Sequence, residues 1–174
     1  MKKYSFLIFI FIVNLHAQEG RLIRNPIRNI PKWVRTEFSA QHLDDRYSVI
    51  YQLYPYYLKG DFNGDGRRDV AIQIAESKSG KIGIAIFHMK RPQVISTPVS
   101  IFGAGNHFSG AGDDFKLVNI WDIVDRKQAS DGSERKKIPT FEGDAISIGK
   151  RDSTSGLIYW DGKKYSWYKM KNLK

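Results

Sequence analysis

Cysteine is absent from this chain of 174 residues. Without a thiol, the protein forms no disulfide, has no cysteine nucleophile and offers no cysteine for lipid attachment. Its stability must therefore come from a packed core or from a bound ligand. Histidine is scarce, with four residues in all. The hydrolase motifs G-x-S-x-G and H-E-x-x-H do not occur, which argues against the common serine hydrolases and zinc proteases.

Long hydrophobic runs are also lacking, apart from one at the start of the chain. Tyr4 to Leu15 is apolar, follows two lysines and precedes the small residue Ala17. The run is too short for a typical transmembrane helix. Its order of basic, apolar and small residues is typical of a secretory signal peptide. We expect residues 1–17 to be cleaved after Ala17 and the protein to be secreted or periplasmic. An uncleaved membrane anchor is the alternative.

The remaining length predicts one folded unit. After the signal peptide, about 157 residues are left, which is enough for a sizeable core. Residues 18–31 are polar and basic and contain two prolines, so we expect an irregular lead-in there. We expect residues 32–174 to form a single β-rich domain.

Positive charge exceeds negative charge, since the chain has 28 Lys and Arg against 18 Asp and Glu and a formal net charge of +10. These cations are scattered, and no basic run is longer than the three residues Arg135 to Lys137. For an exported protein, this pattern favours another protein or an anionic polysaccharide as the partner over nucleic acid. A solvated basic surface without a specific partner is the alternative.

Hydrophobic spacing predicts one short helix near the start of the domain. Ile30, Val34 and Phe38 recur at intervals of four, and Pro31 suits a first helical turn. We therefore expect an amphipathic helix from Lys32 to about Leu43.

Strands account for most of the remaining chain. Tyr47 to Leu58 is aromatic and β-branched, and Pro55 within it indicates an edge strand or a bulge. Its tyrosines either line a sheet core or form a stacking platform. The other predicted strands are 68–75, 82–88, 93–102, 115–124, a stretch around 145–148, and a hairpin formed by 157–160 and 165–168 around an Asp-Gly turn. The fold class predicted is α+β: a mostly antiparallel sheet of about seven to nine strands with a short N-terminal helix.

One stretch carries a spacing that implies metal chemistry. Asp61, Asn63, Asp65 and Asp69 occupy the first, third, fifth and ninth positions of a loop whose sixth residue is Gly66. Alternate side chains of a tightly curved loop can point to a common centre, and calcium takes six to eight hard oxygen ligands. Glycine at the sixth position allows the sharp turn. The alternative interpretation is an ordinary turn rich in Asp, Asn and Gly.

The ligand set would be completed by the backbone carbonyl of Arg67, which occupies the seventh position. The twelfth position, where an EF-hand carries glutamate, is Ile72, and the residues around it alternate as in a strand. The loop therefore opens into a strand instead of a helix. We predict a calcium site formed by Asp61, Asn63, Asp65, Arg67 and Asp69.

This loop, followed directly by a strand, resembles the FG-GAP or VCBS-type repeat. The resemblance is carried by the sequence Gly60-Asp61-Phe62-Asn63-Gly64-Asp65-Gly66 with Asp69-Val70-Ala71. It implies bound calcium, but it occurs once, so a full β-propeller of several blades is not expected. The run from Tyr56 to His88 is similar, more loosely, to small secreted proteins of Bacteroidetes-like bacteria, which implies no activity.

A second loop is a candidate binding segment. Residues 103–114 are rich in glycine and contain His107, Asp113 and Asp114. The loop lacks the Lys-Ser/Thr of a phosphate-binding P-loop. Binding residues are often carried on loops that a rigid frame holds in place.

We therefore expect an exported, non-enzymatic calcium-binding module that binds a partner. The alternative is a hydrolase or another polysaccharide-active protein with its site near residues 103–114.

Overall fold

The computed structural model describes residues 29–95, 98–125, 138–151 and 155–170. The predicted signal peptide lies outside the described residues, as does most of the predicted lead-in. In the described part of the chain, no helix is long and apolar enough to cross a membrane.

One α-helix and nine strands make up the described fold. Helix α1 spans Lys32–Ala40, and a short 3-10 helix follows at Leu43–Asp45. The strands are β1 Tyr47–Val49, β2 Tyr57–Gly60, β3 Asp69–Glu76, β4 Ile82–Phe87, β5 Ser100–Gly103, β6 Ile120–Val124, β7 Glu142–Gly149, β8 Ser155–Trp160 and β9 Tyr165–Met170. The α+β class is confirmed, with two sheets and neither a closed barrel nor a propeller.

All strand pairs are antiparallel. The first sheet has the order β1-β3-β4-β5, and β2 also pairs with β3. Strands β1 and β2 thus share one edge of β3, where β1 lies beside its end and β2 beside its start. The second sheet has the simple order β6-β7-β8-β9.

The first sheet lies between the helix and the second sheet. On β4, Ile84 and Ile86 pack with residues of the second sheet such as Ile146. The intervening Ala85 and Phe87 pack with the helix side. Because side chains of a strand alternate between faces, a sheet covered on both sides has strands that are buried throughout. All six residues of β4 are indeed buried.

Several predicted elements are shorter than expected. The helix ends at Ala40, and among the described residues of the predicted 93–102 strand, only those of β5 are in a strand. The predicted 115–124 strand begins only at Ile120, since Phe115 donates its N–H to Ile82 O and accepts from Val118 N in a turn.

The aromatic segment from 47 to 58 is divided around Pro55, whose peptide bond with Tyr54 is cis. Strands β1 and β2 lie on either side of this break, so the segment forms two short strands at the edge of β3 instead of the single strand that was predicted. Tyr47 is buried in the core, whereas Tyr54 is 84% exposed. The tyrosines therefore do not share one environment.

Candidate functional site

The predicted calcium loop connects β2 to β3 at the edge of the first sheet. It leaves β2 at Gly60 and enters β3 at Asp69. Gly64 and Gly66 have φ values of +74° and +81°, a left-handed conformation that glycine adopts without steric cost. The loop therefore has the sharp curvature that the spacing predicts.

Side-chain oxygens of the loop bind the backbone of the same loop. The carboxylate of Asp61 accepts from Asp65 N at 3.0 Å and from Gly66 N at 2.9 Å. Asn63 Oδ1 accepts from the same Asp65 N at 3.2 Å. One N–H is thus shared between Asp61 and Asn63, so the two oxygens converge on one point. Since each oxygen has a further lone pair, these bonds orient the oxygens without saturating them.

The other two acidic residues of the loop make different contacts. Asp65 Oδ1 accepts from Arg67 N at 3.0 Å. Asp69 is fully buried, and its carboxylate accepts from Phe62 N at 3.1 Å, Met89 N at 2.9 Å and the Nδ1–H of His88 at 3.0 Å. Three of its four acceptor sites are therefore used within the fold.

Asp144, on β7 of the second sheet, was not predicted to belong to the site. Its Oδ2 accepts from Asp61 N at 2.8 Å, and its own N–H donates to Asp61 O at 2.6 Å. Burial raises the pKa of Asp144, the charges of Asp125 and Asp61 raise it further, and the hydrogen bond from Asp61 N opposes the rise.

The preceding residue makes this contact possible. Gly143 has a φ of +71°, and a Cβ added there would lie 2.1 Å from Asp61 O. Strand β7 has a register shift between Glu142 and Ile146, which indicates a bulge. The bulge directs the backbone of Gly143 and Asp144 at the loop. A Gly-Asp pair in front of an alternating strand was the only signal in the sequence.

A second connection between the sheets starts from Asp69. His88 holds Asp69 through Nδ1, while its Nε2 lies 3.5 Å from the hydroxyl of Tyr165 on β9. The two rings are stacked with centroids 5.9 Å apart. Burial is the main cause that raises the pKa of the Tyr165 phenol, and the charges of Asp69, Asp61 and Asp65 add to it. The carboxylates of the loop thus help to raise the pKa of a hydroxyl group that belongs to the second sheet.

Some residues of the loop suit a calcium ion better than others. Among the described residues, no group of three or more His, Cys, Asp or Glu side chains could hold a metal ion. The carboxylates of Asp61, Asp65 and Asp69 thus do not form such a group. The convergent oxygens of Asp61 and Asn63 do suit a hard cation, and an amide oxygen and a backbone carbonyl can complete its shell. Asp69 has one acceptor site left, which suits contact through water.

The three polar residues of the second candidate segment, residues 103–114, make separate contacts, although the charge of His107 helps to lower the pKa of Asp113. Asp113 Oδ2 lies 2.5 Å from Lys81 Nζ, and this hydrogen bond lowers the pKa of Asp113. Asp114 Oδ1 accepts from Ile82 N and Lys116 N. His107 is exposed. Both aspartates thus anchor the loop, and of the three residues only Asp114 borders the groove beside it.

Comparisons of the chain with family models, with curated proteins and with solved structures found no match. The resemblance to the FG-GAP repeat therefore stays a prediction that rests on the residues of the loop.

Proposed function

We propose that this protein is an exported, non-enzymatic binding module whose loop at residues 61–69 holds a structural calcium ion. The observation that carries the proposal is the shared N–H of Asp65, since it brings the oxygens of Asp61 and Asn63 together within a loop of matching spacing. An ordinary turn needs only one such side chain to fix its backbone. Export follows from the predicted signal peptide.

Each residue of the loop would have a defined part in holding the ion. Asp61, Asn63 and Asp65 would supply side-chain oxygens, and Arg67 its backbone carbonyl. Asp69 would close the shell, with water as the link while its carboxylate keeps its present hydrogen bonds. Three carboxylates and one divalent ion leave the loop at about −1. The ion would supply positive charge where these carboxylates otherwise repel one another.

The position of the loop suggests what the ion would stabilise. Asp61 is bonded to Asp144 of the second sheet, and Asp69 is linked to Tyr165 through His88. An ion that orders this loop would also hold the two sheets together. In a chain without disulfides, a ligand that binds only the folded state raises the free energy of unfolding by mass action.

The alternative function, a hydrolase with His107, Asp113 and Asp114, has less support. An acid–base pair needs its groups free and within reach of one substrate atom. Asp113 already forms an exposed ion pair with Lys81. The carboxylate of Asp114 already accepts hydrogen bonds from backbone N–H groups.

Thermal unfolding with calcium and with a chelator tests the proposal. At a calcium concentration of about 100 Kd, the free energy of unfolding should rise by about 2.7 kcal/mol, which raises the melting temperature by several degrees. Asp65→Ala should remove this increase. Asp45→Ala is the matched control, because this carboxylate lies outside the loop with 74% of its side chain exposed. Equal melting temperatures of the parent protein in calcium and chelator would overturn the calcium site.

A further inference from the structure

An open groove of about 410 Å³ lies between the glycine-rich loop and the second sheet. Gly110, Phe115 and Leu117 line it from the loop side. Ile148 and Trp167 line it from the second sheet. None of the predicted calcium ligands contributes to this groove. Its volume falls in the range of ordinary ligand pockets, about 300–1,000 Å³.

Trp167 is held in the groove wall by two glycines. Gly156 lies beside it on β8, and a Cβ added there would come within 2.2 Å of Cη2 and Cζ2 of the indole. At the pyrrole half, a Cβ on Gly110 would lie 2.8 Å from Cδ1 of the same ring. Both close approaches require glycine. The ring of Phe108 also packs edge-on against the indole, with centroids 6.4 Å apart. The indole is therefore a fixed, flat wall.

The same indole carries a donor that the fold does not use. Nε1 of Trp167 is buried and has no hydrogen-bond partner among the residues that the structure describes. It belongs to the pyrrole half of the ring, the half that Gly110 approaches, and Gly110 also lines the groove. A buried N–H without an acceptor costs about 1–3 kcal/mol. Because Nε1 is buried, a ligand in the groove does not bond to it, and Trp167 offers such a ligand only its ring.

Two lysines give the groove its charge. Lys150 and Lys169 both line it and are exposed. In the described ranges, neither of them forms an ion pair or a side-chain hydrogen bond. The carboxylate that lines the groove, Asp114, already binds Ile82 N and Lys116. The groove thus offers free donors and positive charge beside an aromatic wall.

We propose that this groove binds a uronate unit of an acidic polysaccharide. A sugar ring has an apolar face that can pack against the flat indole. Its carboxylate suits two ammonium groups, which can also donate to its hydroxyls. An acidic peptide would satisfy the lysines, but it has no flat ring face for Trp167. The inference names the ligand of the binding module proposed above and rests on that proposal, but not on its calcium site.

Trigalacturonate is the probe, and its fully methyl-esterified form is the matched control, because the two share every ring and differ in charge. We would titrate each into the full chain by calorimetry and follow tryptophan fluorescence, in calcium and in chelator. A triglutamate peptide, whose three side-chain carboxylates equal those of trigalacturonate, serves as the charge-matched peptide. Trigalacturonate should bind and change the fluorescence, whereas the ester and the peptide should bind at least about tenfold more weakly, a difference of 1.4 kcal/mol.

Variants then locate the binding. The double variant Lys150→Gln/Lys169→Gln should weaken trigalacturonate binding about tenfold, since each exposed charge pair contributes up to about 1 kcal/mol. Lys32→Gln/Lys59→Gln removes the same charge from exposed positions elsewhere and should change the affinity less than about twofold. Both pairs are exposed, so neither variant should impair folding.

Three results would overturn the inference: no binding of trigalacturonate, equal binding of the ester or the peptide, or equal weakening by both double variants. The calcium site and the uronate site can be rejected independently of each other. A protein that is stabilised by calcium but does not bind trigalacturonate keeps its metal loop and loses the uronate site. A protein that binds trigalacturonate equally well in chelator and shows no calcium effect loses the metal loop only.

Discussion

Asp61 and Asp144 are joined by two hydrogen bonds that run in opposite directions. Asp61 N donates to the carboxylate of Asp144, and Asp144 N donates to the carbonyl of Asp61. The residues are 83 positions apart in the sequence, one directly after β2 and the other in the bulged strand β7. This pair attaches the candidate metal loop of the first sheet to the second sheet.

Asp144→Ala should destabilise the protein by about 1–3 kcal/mol, because Asp61 N would lose its acceptor in a partly buried place. Asp144→Asn should cost less than the alanine variant, since its amide oxygen can accept the same N–H. Urea unfolding of the parent and both variants at neutral pH measures the difference. An equal loss for alanine and asparagine would show that the charge of Asp144, and not its acceptor, supports the fold.

Gly143→Ala should lower the free energy of unfolding by roughly 2–5 kcal/mol. A side chain in the left-handed conformation costs about 1–2 kcal/mol, and the added Cβ would overlap Asp61 O at a further cost of about 1–3 kcal/mol. Gly80→Ala is the control, because Gly80 has a similar φ of +69° but nothing within 4 Å of an added Cβ. That variant should show only the conformational cost. Similar losses of stability in both variants would mean that the structure relieves the overlap with Asp61 O without a further decrease in the free energy of unfolding.

The ion pair of Lys81 and Asp113 should make a small, pH-dependent contribution to stability. Their hydrogen bond raises the pKa of Lys81 and lowers the pKa of Asp113. The contribution of Asp113 is complete above its ordinary pKa of 3.8 and is lost as the pH falls through its lowered folded-state value. The contribution of Lys81 is complete below 10.5 and is lost as the pH rises through its raised value.

Unfolding of Asp113→Asn and the parent across this pH range checks the direction in which the contribution of Asp113 to stability changes with pH. The difference in the free energy of unfolding should be constant near neutral pH and should vanish in strong acid. High salt should reduce it, because both groups are exposed. A difference that grows as the pH falls below 3.8 would contradict the assignment of the lowered pKa to this pair.

Trp121→Phe tests a separate connection between the sheets. Trp121 on β6 is 5% exposed, and its Nε1 donates to Pro55 O at 2.8 Å, between β1 and β2. Phenylalanine removes this donor and leaves part of the volume empty, so we expect a loss of about 1–3 kcal/mol in chemical denaturation. Trp160→Phe, at a more exposed position of β8, should cost less. An equal loss in both variants would argue against a specific role of the Pro55 contact.

The two clearest strands of the first sheet were predictable because their pattern is local. Ile82, Ile84 and Ile86 alternate with small or aromatic residues, and the structure places the two sets on opposite faces. The Asp161-Gly162 turn was equally clear, since a tight hairpin requires residues that tolerate positive φ, and Gly162 has a φ of +93°. By contrast, the 93–102 stretch looked like a strand by composition alone, and of its described residues only the last ones pair with β4.

The sequence by itself determined the metal-loop spacing, the short helix and the antiparallel class, because each depends on residues that are neighbours along the chain. Only the tertiary structure decided that Asp144 meets Asp61, that Asp69 is buried against His88, and that Lys150 and Lys169 border the same groove as Trp167. These relationships depend on how the second sheet is placed against the first. That placement is set by packing and by a bulge in β7, and no local periodicity encodes either of them.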